Sequence, residues 1–163
     1  MLDFCGARRC KKKTGIVTQK QYNYIVAISS GLIEYDDYIE KLNGLFLADE
    51  EKSDILLELE YCTGDPQETI ATLKTALYDK IKQIDFQKVG KMLFDELGRQ
   101  YSDDVETLKE LSHKLYVVWT LLPDDISSEH PFIRLNSIDD YWAWDGKNEM
   151  TEQMKYLIDY YNT

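Results

Sequence analysis

The chain has 163 residues, 44% hydrophobic and 30% charged, with a net charge of −11. That balance excludes a disordered chain, and no run approaches the roughly 20 apolar residues of a spanning helix. Three cysteines, Cys5, Cys10 and Cys62, are too few for a disulfide scaffold, so a cytoplasmic protein with reduced thiols is expected.

Charge is unevenly distributed. Residues 1–20 hold six Lys/Arg (Arg8, Arg9, Lys11, Lys12, Lys13, Lys20) against one acid, Asp3. With no apolar stretch behind those charges, this segment is not expected to act as a secretory signal. The 13 basic and 29 acidic residues that follow give positions 21–163 a net charge of −16. So acidic a body repels nucleic acid and anionic membranes and attracts basic partners. Residues 1–17 are expected to form a basic, mobile leader, and residues 18–163 a single all-helical domain.

In chain order, Thr18 with Gln21 starts a helix that ends at Gly31. EYDDYIEKLNGLF, residues 34–46, places Tyr35, Ile39, Leu42 and Phe46 on one inward stripe, leaving Asp36, Asp37 and Tyr38 outside. DEEKSDILLELEYC turns Ile55, Leu56, Leu59 and Cys62 inward, and Gly64 closes it. In the next helix Asp65 is the N-cap, Pro66 the first helical residue and Glu68 the partner in a capping box. Ile70, Leu73, Leu77 and Ile81 follow as its stripe, so these two helices form an antiparallel hairpin.

Phe86, Val89, Leu93 and Leu97 mark a fifth helix. Asp103 with Glu106 caps a sixth, carrying Val105, Leu108, Leu115, Trp119 and Leu122 until Pro123 stops it. PDDISSEHPF, residues 123–132, is the longest non-periodic connection. Ser137 is expected to cap a short helix with Asp139 and Asp140 in its first turn. EMTEQMKYLIDYY, with Met150, Met154, Leu157 and Tyr161 inward, closes the chain. Strand alternation is missing, so the fold class expected is all-α, a single domain of about seven to eight helices, largely antiparallel helix pairs.

Catalytic and metal patterns do not assemble. Glu110 and His113 make an E-x-x-H, half of a di-iron carboxylate site, but the second half is missing. Cys5 and Cys10 are too widely spaced for a structural zinc pair and lack two further ligands. Gly146 and Glu152 have calcium-loop spacing, yet Tyr141 and Ala143 then fall where carboxylates are needed. No phosphate-binding glycine loop or nucleophile elbow is present. Paired acids such as Asp36/Asp37 point about 100° apart on a helix and do not converge. No catalytic residue, metal or cofactor is expected.

Two acidic-aromatic clusters remain, EYDDY at residues 34–38 and DDYWAWD at 139–145. Aromatics with a polar handle, ringed by carboxylates, suit an interface with a partner rich in Arg and Lys. The candidate partner-binding residues are Asp139, Asp140, Tyr141, Trp144 and Asp145, with Asp36, Asp37 and Tyr38. Trp142 is open to two readings, a plug in the helical core or part of that surface. Trp142 and Trp144, two apart, diverge on a helix, so at least one reaches the surface or a groove.

SDILLELEYCTGDPQETI, residues 53–70, and LYVVWTLLPDDISSEHPFIRLNSIDDYWAWDG, residues 115–146, resemble small all-helical bacterial immunity proteins. Those proteins accompany polymorphic toxins, including toxins of contact-dependent growth inhibition. The resemblance rests on the Leu-Glu-rich helix followed by Glu68-Thr69-Ile70, on Trp119-Thr120-Leu121-Leu122-Pro123, on Pro131-Phe132 and on the Asp-Asp-aromatic-Trp segment. It implies a cytoplasmic, non-enzymatic inhibitor that binds the toxic domain of a cognate effector, often a basic nuclease. Two other classes stay open: a helical adaptor that binds partners in a groove, and an enzyme with an unrecognised carboxylate site.

Overall fold

The computed structural model describes residues 19–48, 54–144 and 146–162. The basic leader, with Cys5 and Cys10, lies outside the described residues. Among the described residues there is no strand. The fold is all-α, as the periodicity predicts. The helices are α1 (residues 19–29), α2 (Tyr35–Ala48), α3 (Asp54–Tyr61), α4 (Pro66–Leu77), α5 (Phe86–Gln100) and α6 (Val105–Leu121). After them come α7 (Asp124–Ser127), α8 (Tyr141–Trp144) and α9 (Lys147–Asp159). Two 3₁₀ segments, Tyr78–Gln83 and Phe132–Ser137, complete the set. The helix count therefore exceeds the expected seven to eight, because the short turns at 124–127, 132–137 and 141–144 carry no repeat long enough to read.

The chain packs as two compact units. One contains the residues through Ile25 together with Asp36–Asp85, and the other Val26–Tyr35 with everything from Phe86 onward. Helix α1 is thus divided between them, and it stops at Gly31, whose φ of 75° only glycine adopts without strain.

In the first unit, Gln19 on α1 reaches the start of α5's lead-in. Its side chain accepts from the Asp85 backbone N–H at 2.8 Å and donates to the Asp85 carbonyl at 3.2 Å. Helix α2 is rotated from its expected register. Tyr38 and Leu42 are its buried pair, at 2% and 3% exposure, and Tyr35 and Ile39 are only half-buried. The Tyr38 ring meets Tyr24 of α1 edge-on, with centroids 5.4 Å apart, and that contact turns the stripe by one residue.

Helices α3 and α4 pack on each other as the expected hairpin. Leu56, Leu59 and Cys62 are buried on one side, and Ile55 is half-buried. The Asp65 carboxylate caps α4, accepting from the N–H groups of Gln67 and Glu68 at 2.9 and 3.2 Å. The return half of a capping box is absent here, because the Asp65 N–H goes to the Cys62 carbonyl and Glu68 is exposed. The α4 stripe also shifts, to Thr69, Leu73 and Leu77, with Ile70 half-buried. Thr69 can be buried because its hydroxyl donates to the Cys62 carbonyl at 3.0 Å.

In the second unit, α9 packs against α5, α6 and α8, and the 3₁₀ segment 132–137 packs against α6 and α7. Leu93, Leu97, Leu108, Leu115, Met150, Met154 and Leu157 are all sealed from solvent. Each such side chain contributes about 1.5–3 kcal/mol by burial. Glycines at 90 and 98, two turns apart on α5, admit Tyr161 and α9 closely: a Cβ at Gly98 would lie 3.3 Å from Ile158 Cγ2. The N-cap of α6 is Asp104, one residue later than expected, accepting from the Thr107 N–H at 2.9 Å. Asp103 instead accepts from the Tyr101 hydroxyl. Val105, expected inside, is 36% exposed at the first position of α6. The connection 123–132 is interrupted by the single turn of α7.

Candidate functional site

The EYDDY cluster opens α2, where carboxylates suit the positive end of the helix. Glu34, Asp36, Asp37 and Glu40 are exposed, and none has an ion pair among the described residues. Tyr38 does not join them. Its expected outward orientation is corrected by its burial against Tyr24, whose other neighbour is the Lys41 ammonium, 5.7 Å from the ring centroid. At this end of α2 the carboxylates keep one half-buried aromatic beside them, Tyr35, while Tyr38 is withdrawn into the core.

The second cluster lies in the other unit, in the chain between α7 and α9. Ser137 is the last residue of a 3₁₀ segment rather than an N-cap, and its carbonyl accepts from the Asp140 N–H at 3.1 Å. The turn so formed leads into α8 through an Ala143 N–H to Asp140 carbonyl bond of 3.0 Å. Asp140 is exposed, and Asp139 and Tyr141 are half-buried. Asp145 and the side chain of Trp144 lie outside the described residues.

Trp142 is half-buried, between its two expected roles. The Lys109 ammonium of α6 sits 5.3 Å from its ring centroid, a cation–π contact. The indole N–H is buried and finds no partner among the described residues. Nearby in sequence, α7 and its exit expose Asp124, Asp125 and Glu129. Between residues 123 and 144 there are therefore five carboxylates, Asp124, Asp125, Glu129, Asp139 and Asp140, against one cation, Arg134.

That cation is committed elsewhere. The Arg134 guanidinium lies 4.1 Å from the Tyr156 ring centroid and donates to Gln153 Oε1 at 3.0 Å. Four ion pairs of this unit close within single helices: Lys91–Asp95 and Arg99–Glu96 on α5, Lys109–Glu106 and Lys114–Glu110 on α6. Among the described residues none of the five carboxylates has an ion pair. An uncompensated run of this kind raises the local negative potential and draws in cationic partners.

Elsewhere, Lys114 donates to Glu110 and holds its carboxyl below the ordinary range, which accounts for the acid of the E-x-x-H. His113 is exposed. Cys62, buried as expected, donates its thiol to the Glu58 carbonyl at 3.1 Å. Among the described residues no group of three or more His, Cys, Asp or Glu could hold a metal ion. No helix there is long and apolar enough to cross a membrane.

One surface escaped the sequence reading. Tyr61 is 91% exposed and Leu57 40%, one turn apart on α3, with Asp54 and Glu58 exposed beside them. The signal was present: once Leu56, Leu59 and Cys62 take the inward stripe, Leu57 and Tyr61 are left to the opposite side. Comparison of the chain with family models, with curated proteins and with solved structures finds no match.

Proposed function

We propose that this protein is an immunity protein: it binds a basic bacterial toxin domain in the cytoplasm and neutralises it by covering its surface, without chemistry of its own. The observation that carries this is the run of five carboxylates from Asp124 to Asp140, none with an ion pair among the described residues, leading into the aromatic turn Tyr141–Trp142. Carboxylates at the rim accelerate encounter with a cationic surface, and half-buried aromatics beside them give the complex its lifetime. The acidic body, at −16 over residues 21–163, competes for a surface that a nuclease would present to phosphates.

The test first asks whether a neighbouring gene encodes a secreted protein with a basic toxic domain, and then pairs the chain with that domain. Co-production should restore growth of cells that make the toxin. In purified form, replacing Asp139 and Asp140 by Asn should slow association about tenfold at low salt and flatten its salt dependence. Tyr141→Ala should act mainly on dissociation. A chain that neither binds nor protects against that domain would end the proposal.

A further inference from the structure

Helix α3 has two faces of opposite character. Leu56 and Leu59 are sealed, and the residues at the spacing of one helical side, Asp54, Leu57, Glu58 and Tyr61, all stand exposed. The outer stripe alternates acid, apolar, acid, aromatic over two turns. Tyr61 is among the most exposed large side chains described, at 91%. Its ring has no contact that would explain an aromatic residue there, and neither Asp54 nor Glu58 has an ion pair among the described residues. From residue 54 to 73 the chain carries five carboxylates and no Lys or Arg.

We infer that the outer stripe of α3 is a docking surface for a basic amphipathic helix of another protein. Leu57 and Tyr61 supply the apolar seam into which such a helix lays its own apolar side, and Asp54 and Glu58 receive its lysines or arginines. Two anchors one turn apart fit a helix better than an extended segment, whose side chains alternate every other residue. A second copy of this chain is disfavoured, since self-pairing would set two stripes of the same sign together, with no Lys or Arg from residue 54 to 73 of either to offset them. The inference shares with the proposed function only the sign of the partner's charge, and it concerns a different unit of the chain.

The test is an amide NMR titration of the full chain with a synthetic helical peptide of lysine and leucine, its leucines on one face. A peptide of the same composition in scrambled order serves as the control. Saturable shifts should centre on residues 54–61 and weaken at raised salt. Leu57→Gln with Tyr61→Gln, both at exposed positions, should weaken binding at least about tenfold while leaving the helical circular dichroism unchanged. Asp54→Asn with Glu58→Gln should reduce the salt dependence. Equal binding of the scrambled peptide, or shifts centred on residues 124–140 instead, would overturn the docking surface and leave the proposed function standing. Shifts at 54–61 that appear only after residues 1–17 are deleted would assign the stripe to the chain's own basic leader and overturn it as well. Failure of the toxin experiment with α3 shifts intact would overturn the immunity reading alone.

Discussion

The Tyr161 ring lies across Gly90 so closely that a Cβ at residue 90 would meet Cε2 at 2.8 Å and Cζ at 2.9 Å, with the hydroxyl nearer still. The same ring packs on Phe94, centroids 5.8 Å apart, so it fastens the end of the chain to α5. Gly90→Ala gains helix propensity of about 1 kcal/mol but forces the ring away, an overpacking cost of about 1–3 kcal/mol. The variant should melt below the parent. Tyr161→Phe should not rescue it, because the ring carbons still collide. Tyr161→Ala combined with Gly90→Ala should show a favourable coupling in a double-mutant cycle of thermal melts.

Asp103 and Asp104 are neighbours with different work. Asp104 takes the N–H and hydroxyl of Thr107, both at 2.9 Å, and those bonds hold its carboxyl below the ordinary range. Asp104→Ala should lower the urea midpoint, because the Thr107 N–H then loses its N-cap acceptor. Asp103→Ala, which releases only an exposed tyrosine hydroxyl, should cost less. Equal losses would return the cap to Asp103.

Tyr22, 6% exposed, has its phenol pushed up to about 12 by burial. Its unfolded value is about 10. The folded state thus holds the proton more tightly, and the resulting stability is complete below pH ~10 and is lost as pH rises toward 12. Denaturant midpoints measured across that window should fall more steeply for the parent than for Tyr22→Phe. Parallel curves would show that Tyr22 titrates alike in both states.

Trp142 carries a ring under the Lys109 ammonium and a buried N–H without a partner among the described residues. Trp142→Phe keeps a face for the cation and removes the unpaired donor, so its stability should lie within about 1 kcal/mol of the parent. Trp142→Ala should cost more than that, but less than the roughly 3–5 kcal/mol of a fully buried aromatic. Calorimetry of both variants decides the matter, and a larger loss for Phe than for Ala would contradict it.

Most of the architecture was legible because long amphipathic repeats report their own burial. Leu93, Leu97, Met150, Met154 and Leu157 sit where their spacing puts them. Errors of one residue arose where a tertiary contact decides between adjacent candidates. Tyr24 selects Tyr38 over Ile39, a hydroxyl bond admits Thr69, and the turn at 101–104 gives the cap to Asp104. Segments of one turn, such as 124–127 and 141–144, hold too few residues to show a period. The acids of the second cluster were visible in composition, but their lack of counter-ions among the described residues depends on Arg134 being occupied by Tyr156 and Gln153, which no local pattern reveals.

The division of α1 has a consequence for the order in which the molecule is made. Val26–Tyr35 belongs with the residues from Phe86 onward, yet all of Asp36–Asp85 is synthesised in between. On the ribosome this strip, with Leu32 and Ile33 destined for burial, emerges long before the α5 residue Gln100, whose side chain donates to the Leu32 carbonyl. The first unit can close once Asp85 has left the exit tunnel and met Gln19, whereas the second must wait for nearly the whole chain. Its apolar strip waits through that interval for packing partners more than fifty residues away in sequence, so the second unit closes late and through non-local contacts.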